Sequence, residues 1–352
     1  MKQDNKIIIN YSNDLLPGIT RLIEQAKQKV AISSNVETSC LYWSIGNYIN
    51  THLKENNRLT YGAKIVATLS QQLIKMYGKG YSYSALTRMC KVTTIFDETT
   101  IATVSQQLSW SHLIELSSLN SFIQREFYAI MSIQGNWGIR ELRTQMNKML
   151  FERSAIAQLP EEEIVKHLKA LKQENTMFPD LVFKNTYVLD FLNLPHFYNE
   201  NELENALLNT MEHFIMELGN GFAFLERQKR ITVDEEDYYL DLLFYHRKLN
   251  RLIAIDLKLG KFKPAYKGQM ELYLRWLEKY EMQKNEEKPI GLLLCSEGNT
   301  EHIELLLLNE SEIKVAQYLT EFPDKQWFSD KLQKALKMAK MNENLKNINI
   351  LK

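Results

Sequence analysis

The stretch that decides the fold is Tyr238-Tyr239-Leu240-Asp241-Leu242-Leu243-Phe244-Tyr245-His246-Arg247-Lys248-Leu249-Asn250-Arg251-Leu252-Ile253-Ala254-Ile255-Asp256-Leu257-Lys258. It reads as two strands, Tyr238 to His246 and Leu252 to Lys258, joined by the polar turn Arg247 to Asn250. A symmetric turn sets Leu242 opposite Ile255, Phe244 opposite Ile253 and Asp241 opposite Asp256. Strand side chains alternate faces, so Asp241, Asp256 and Lys258 share one face and the apolar pairs share the other. Two carboxylates would then lie about 5 Å apart beside a lysine. Like charges at that range repel, which makes poor sense as a stability device. It makes sense if a divalent cation sits between them.

Towards the C-terminus, Pro264 precedes a helix over Ala265 to Tyr280. Gln269 and Tyr273 lie four apart and share one face of it. Lys261, Lys263 and Lys267 form a local basic rim next to Lys258. Ile290 to Cys295 is a continuous apolar run suited to a buried strand. A helix over Thr300 to Asn309 and a strand over Lys314 to Leu319 follow. The lysine-rich tail, residues 331–352, is weakly amphipathic and reads as partly frayed.

Towards the N-terminus, Asp234 to Asp237 is an acidic turn, and Phe222 to Val233 reads as a strand with Phe222, Phe224 and Ile231 turned to a core. Arg227, Gln228 and Arg230 are candidate phosphate contacts. Alternation sends Arg227 to one face and the other two to the opposite face. Glu202 to Leu218 reads as a helix ended by Gly219-Asn220-Gly221, with Glu204 on its first turn. Taken alone, such an acid is one favoured by the helix dipole. A connection from Pro179 to Asn199, containing Pro195, marks the expected domain boundary.

Before that boundary every periodic segment is helical. Residues 11–56 carry two apolar stripes at helical spacing, and a break is expected at Asn56-Asn57. A helix over Tyr61 to Met76 stops at Tyr77-Gly78-Lys79-Gly80, and Ser82 or Ser84 can cap the next, which runs towards Phe96. Two readings of this pair stay open. As a helix-turn-helix it would present Tyr83, Thr87, Arg88 and Lys91 to DNA. A plain helical hairpin would look the same from the sequence. His112 follows the capping candidates Ser109 and Ser111, has no acid or nucleophile near it in sequence, and reads as a packing or capping residue. Helices are expected over 121–133 and 137–151, and from Pro160 to about Gln173.

At 352 residues the chain suits about two domains, and 45% hydrophobic content suffices for real cores. A formal net charge of +0 excludes a globally basic nucleic-acid binder, so any polyanion site must be local. Cys40, Cys90 and Cys295 show no zinc-ligand spacing and suit a reducing compartment. No apolar run approaches about 18 residues, and the N-terminus lacks a signal-peptide core. The expected protein has no membrane segment and is cytoplasmic. The expected domains are a helical one over 11–175, an α/β one over 180–330 and a basic tail over 331–352.

The motifs together resemble a known family. Asp241, followed fifteen residues later by Asp256-Leu257-Lys258, resembles the catalytic signature of the PD-(D/E)XK nuclease superfamily. Glu204 matches its first-helix acid, and Gln269-Met270-Glu271-Leu272-Tyr273 matches its QxxxY motif. Leu203-Glu204-Asn205-Ala206-Leu207, Gly221-Phe222-Ala223-Phe224, Asp241 to His246 and Phe262-Lys263-Pro264 resemble the YhcG-type bacterial nucleases. So do Leu108 to His112 and Gly138 to Leu142 in the first half. Asp256 stands where that family often has Glu, and the superfamily accepts either acid.

The resemblance implies an all-α, helix-turn-helix or winged-helix-like N-terminal domain. A restriction-endonuclease-like α/β domain with a central mixed sheet would follow it. It implies a metal-dependent deoxyribonuclease with Glu204, Asp241, Asp256, Lys258, Gln269 and Tyr273 in the site. Mg²⁺ or Mn²⁺ would be held by Asp241, Asp256 and the Leu257 carbonyl. DNA is the implied partner, met by Arg88, Lys91, Arg227, Arg230, Lys261, Lys263 and Lys267, and a homo-oligomer is left open. The competing reading is a DNA-binding or scaffolding protein with a non-catalytic nuclease fold.

Overall fold

The computed structural model describes residues 12–55, 62–194, 197–298 and 312–350. The expected helix over Thr300 to Asn309, the break at Asn56-Asn57 and Pro195 lie outside them. The chain divides into two compact units, one ending at Arg143 and one beginning at Thr144.

The first unit holds helices and, among its described residues, no strand. They are α1 (Ser12–Glu55), α2 (Gly62–Tyr77), α3 (Tyr83–Thr93), α4 (Glu98–Val104), α5 (Trp110–Leu116) and α6 (Phe122–Gly135). Ile49 and Leu53 of α1 pack with Val66 of α2 and with Leu86 and Met89 of α3. The α1–α3 approach is close because Gly46 has no side chain: a Cβ there would lie 2.3 Å from the Met89 carbonyl oxygen. Gly78, with φ at +89°, ends α2 in a conformation that suits glycine. Ser82 caps α3 by accepting from the Ala85 N–H. His112 is a capping residue: its Nδ1 lies 2.7 Å from Ser109 Oγ and its Nε2 3.0 Å from the Trp137 carbonyl.

The second unit is built on a six-stranded mixed sheet in the order β1-β6-β5-β4-β3-β2. Its strands are β1 (Thr186–Val188), β2 (Phe222–Val233), β3 (Glu236–His246), β4 (Arg251–Lys258), β5 (Ile290–Cys295) and β6 (Ile313–Leu319). Strands β1, β6, β5 and β4 pair in parallel, and β4, β3 and β2 antiparallel. The β2–β3 turn places Asp234 and Glu235 at positive φ, as a two-residue hairpin turn of the primed type requires.

In chain order α7 (Ile139–Asn147), α8 (Leu150–Arg153), α9 (Glu161–Glu174) and α10 (Pro179–Val182) follow α6. The sheet is covered on both faces. On one, α11 (Glu200–Asn209) and α12 (Met211–Leu218) supply Leu203, Leu207 and Phe214 to a core with Leu242, Phe244, Ile253, Ile255 and Leu257. On the other, α13 (Pro264–Tyr280) supplies Met270, Tyr273, Leu274 and Leu277 to a core with Leu243, Leu252, Ala254 and Leu293.

Several expectations are corrected. One helix over Glu202 to Leu218 is in fact two, because Thr210 leaves helical geometry at φ −122°. The first begins at Glu200, where Asn199 caps it reciprocally with Glu202, so Glu204 lies in its second turn. The helix over 137–151 breaks at Met149, which has φ +54°, into Ile139–Asn147 and Leu150–Arg153. Phe224 turns to the core as expected, its ring 5.3 Å from that of Phe244, but it stays 38% exposed on the edge strand β2. Most of the tail lies in a helix over Lys325–Ile350, whose first turn carries buried Phe328. The connection after Pro179 hides the short edge strand β1.

Residues 144–175, expected to close the helical domain, cluster with the sheet unit. Buried Arg153 shows why: its Nη1 lies 2.5 Å from Glu217 Oε1 of α12. Lys184 Nζ is 3.4 Å from the same oxygen, and the Val188 N–H donates to it at 3.1 Å.

Candidate active site

The β3–β4 ladder pairs Leu242 with Ile255 and Phe244 with Ile253, the register expected from the turn. It ends at Leu242–Ile255, and one step further the same register sets Asp241 opposite Asp256. There the Leu257 N–H donates 2.7 Å to Asp241 Oδ2, a side chain. A residue's N–H and C=O face the same neighbour in an extended strand, so the Leu257 carbonyl also lies on the β3 side.

Asp256 is 2% exposed, and Lys258 Nζ is 2.8 Å from its Oδ2. Burial, followed by the Asp256 charge, pushes the Asp241 carboxyl up to about 7. Burial also raises Asp256, against the opposing pull of Lys258. The two carboxyls act on each other, so the charge of one disfavours the charge of the other. Burial works against the charge on Lys258, but the neighbouring carboxylates outweigh it and hold the amine above its usual range. The Lys258 amine lies 5.3 Å from the Tyr266 ring centroid, and Lys263 lies 5.9 Å from the same ring.

Gln269 and Tyr273 do share one helix face, and they bind each other: Gln269 Nε2 donates 2.7 Å to the Tyr273 hydroxyl. That hydroxyl donates 3.1 Å to the Tyr239 carbonyl, two residues before Asp241. The pair therefore ties α13 to the strand that carries the first acid. Burial and then the Asp256 charge push Tyr273 up to about 12, so it stays a neutral donor.

The α11 acid whose charge reaches Asp256 and Lys258 is Glu200. Its Oε1 accepts from the Leu259 N–H at 3.3 Å. Glu204 is half-buried one turn further along the helix. Sequence reasoning passed over Glu200. Its capping asparagine, Asn199, was the available signal. It also missed Tyr266, which lies beside Lys258.

The basic candidates divide. Lys261, Lys263 and Arg227 are exposed. Lys267 lies 3.7 Å from Glu271, and Arg230 lies 2.8 Å from Asp237. In the first unit, Tyr83, Thr87, Arg88 and Lys91 are all exposed on α3.

Among the described residues, no group of three or more His, Cys, Asp or Glu side chains is placed to hold a metal ion. The donor set at the strand ends nevertheless fits a hard cation. Half-buried Asp241 and buried Asp256 lie at the end of the ladder with the Leu257 backbone on the β3 side, and Mg²⁺ is commonly held by one or two carboxylates with waters completing its shell. Among the described residues, no helix is long and apolar enough to cross a membrane.

The YhcG PDDEXK nuclease domain model matches residues 180–337, and the DUF1016 N-terminal domain model matches residues 18–153. The Escherichia coli (strain K12) protein named "Putative nuclease YhcG" is 28% identical over 347 residues, covering 90% of this chain and 92% of that one. A solved repair endonuclease from Pyrococcus abyssi is 19% identical, with a TM-score of 0.27. The match covers 37% of this chain and half of that one, and carries no weight for the fold or the chemistry. With a helical first unit, a mixed-sheet second unit and the two domain models matched in order, the chain belongs to the YhcG-type PD-(D/E)XK nuclease family.

Proposed function

We propose that the chain is a divalent-metal-dependent nuclease that hydrolyses DNA phosphodiester bonds in the cytoplasm. One observation carries the reading: half-buried Asp241 and buried Asp256 come together where their ladder ends, with the Leu257 N–H on the first acid and Lys258 on the second. Burying like charges costs stability, and a cation between them would offset that cost.

Asp241, Asp256 and the Leu257 carbonyl would hold Mg²⁺ or Mn²⁺. When bound, the ion would acidify a water and draw charge from the phosphate. Lys258, kept protonated by its neighbours, supports the negative charge that develops on the phosphate. Glu204 and Glu200 stand on the helix beside the site as candidates to orient ligand waters. Gln269 and Tyr273 hold the Asp241 strand in place. Arg227, Arg230, Lys261, Lys263 and Lys267 are the proposed backbone-phosphate contacts of the second unit. Arg88 and Lys91 are those of the first, whose role is to bind DNA or a partner.

A panel of labelled duplex, single-stranded and branched DNA, incubated with Mg²⁺, Mn²⁺ or EDTA, tests this. Metal-dependent cleavage by the wild type, lost in Asp241→Ala and in Lys258→Ala, is expected. No cleavage of any form with either ion overturns the enzymatic reading. Cleavage by both variants overturns the assigned site.

A further inference from the structure

The residue of β2 that meets Asp241 is set by a bulge. Phe224 pairs with Phe244, and that register continued unbroken would set Arg227 against Asp241. The bulge at Leu225 shifts the pairing by one: Glu226 pairs with Leu243, Arg227 with Leu242 and Lys229 with Leu240. Gln228 thus takes the place opposite Asp241.

Gln228 also holds a backbone conformation rare for a side-chain-bearing residue, with φ at +45° in the middle of a strand. Such strain persists only where the surroundings over-determine it, and it clusters at functional sites. The facing strand feels it. Leu240 and Leu242, two residues apart, would share one face of a regular strand, yet they enter different cores. The pleat turns at Asp241.

The polar head of Gln228 points into the site. Its Nε2 donates to Asp241 Oδ1 at 3.3 Å, while the Leu257 N–H donates to Oδ2 at 2.7 Å. Each carboxylate oxygen then has one donor and keeps lone-pair capacity for a further partner. Neighbours in the same run are engaged elsewhere. Lys229 lies 2.9 Å from Glu226 and 3.0 Å from Glu281, and Arg230 is paired with Asp237.

We infer that Gln228 is a positioning residue for the cation site: its amide fixes the plane of the Asp241 carboxylate without neutralising it. The bulge keeps Arg227 from that place. An arginine there would pair with Asp241 and compete with the ion for the carboxylate. This inference rests on the reading of Asp241 as a cation ligand.

The test is Mn²⁺ binding to the full chain by calorimetry, with Tm measured in EDTA beside it. Gln228→Gly relieves the backbone strain and removes the amide. Its Tm in EDTA should match or exceed that of the wild type, while its Mn²⁺ affinity falls about 10-fold or more. Gln228→Met, similar in size but without a donor, should lose affinity likewise. Gln228→Arg should raise Tm in EDTA and abolish Mn²⁺ binding. A wild type that binds no Mn²⁺, like Asp241→Asn, overturns the cation site and this inference with it. A wild type that binds, with all three variants binding as tightly, overturns the role of Gln228 alone.

Discussion

The Leu257 N–H reaches Asp241 Oδ2 at 2.7 Å, one step beyond the last backbone pair of β3 and β4. An acid side chain sits where a ladder would otherwise continue. That placement gives the carboxyl its burial and sets it against Asp256.

Asp241 therefore works against stability at neutral pH when no metal is bound. Its folded pKa, about 7, is raised above the ordinary 3.8, so the native state binds more protons than the unfolded chain between those values. The group's contribution is full below the ordinary pKa and is lost as pH rises through about 7. Asp241→Asn removes the charge and keeps the shape. In EDTA it should be more stable than the wild type at pH 8, by on the order of 1–3 kcal/mol, with the gain gone near pH 4. Thermal unfolding across pH checks this, and equal pH slopes would place the titration on another group.

His246 carries the opposite sign. It is fully buried, accepts from the Leu249 N–H at 3.0 Å, and is pushed down to about 4 by burial. A depressed folded pKa means stability that is full above the ordinary 6.5 and lost as pH falls towards about 4. The loss should approach about 3 kcal/mol. Because Asp241 titrates in the same window with reversed slope, the comparison belongs in the Asp241→Asn background. There His246→Asn should flatten the loss between pH 6.5 and 4 in denaturant titrations.

Glu217 is the acceptor at which Arg153, Lys184 and Val188 meet. Glu217→Ala would leave two buried cations uncompensated and should cost about 3–5 kcal/mol. Glu217→Gln keeps an acceptor for Val188 and should cost less. Urea unfolding of the full chain measures both, and an alanine variant of wild-type stability would show the cluster to be dispensable.

The first unit offers a separate test. Arg88→Ala combined with Lys91→Ala should weaken DNA binding and lower the slope of log affinity against log salt by about 2. Fluorescence anisotropy at several salt concentrations reads this directly. An unchanged slope would leave α2 and α3 as a helical hairpin with no phosphate contacts.

The site was legible as far as local periodicity reaches. Strand alternation set Asp256 and Lys258 on one face, and helical spacing set Gln269 beside Tyr273. Neither period could show that the Tyr273 hydroxyl donates to Tyr239, since that needs α13 laid across β3. Helix boundaries at Asn199, Thr210 and Met149 depended on single backbone conformations rather than on any repeat.

The sequence by itself determined the hairpin, its register and the pairing of two acids with a lysine, because a turn and a two-residue alternation need only neighbouring residues. Tertiary structure decided which other groups surround them. One bulged residue in β2 set Gln228 rather than Arg227 against Asp241, and a cap at Asn199 brought Glu200 within electrostatic reach of Asp256. A bulge shifts every later pairing by one, and a cap moves a helix start by two residues. Neither leaves a periodic trace in the chain that contains it.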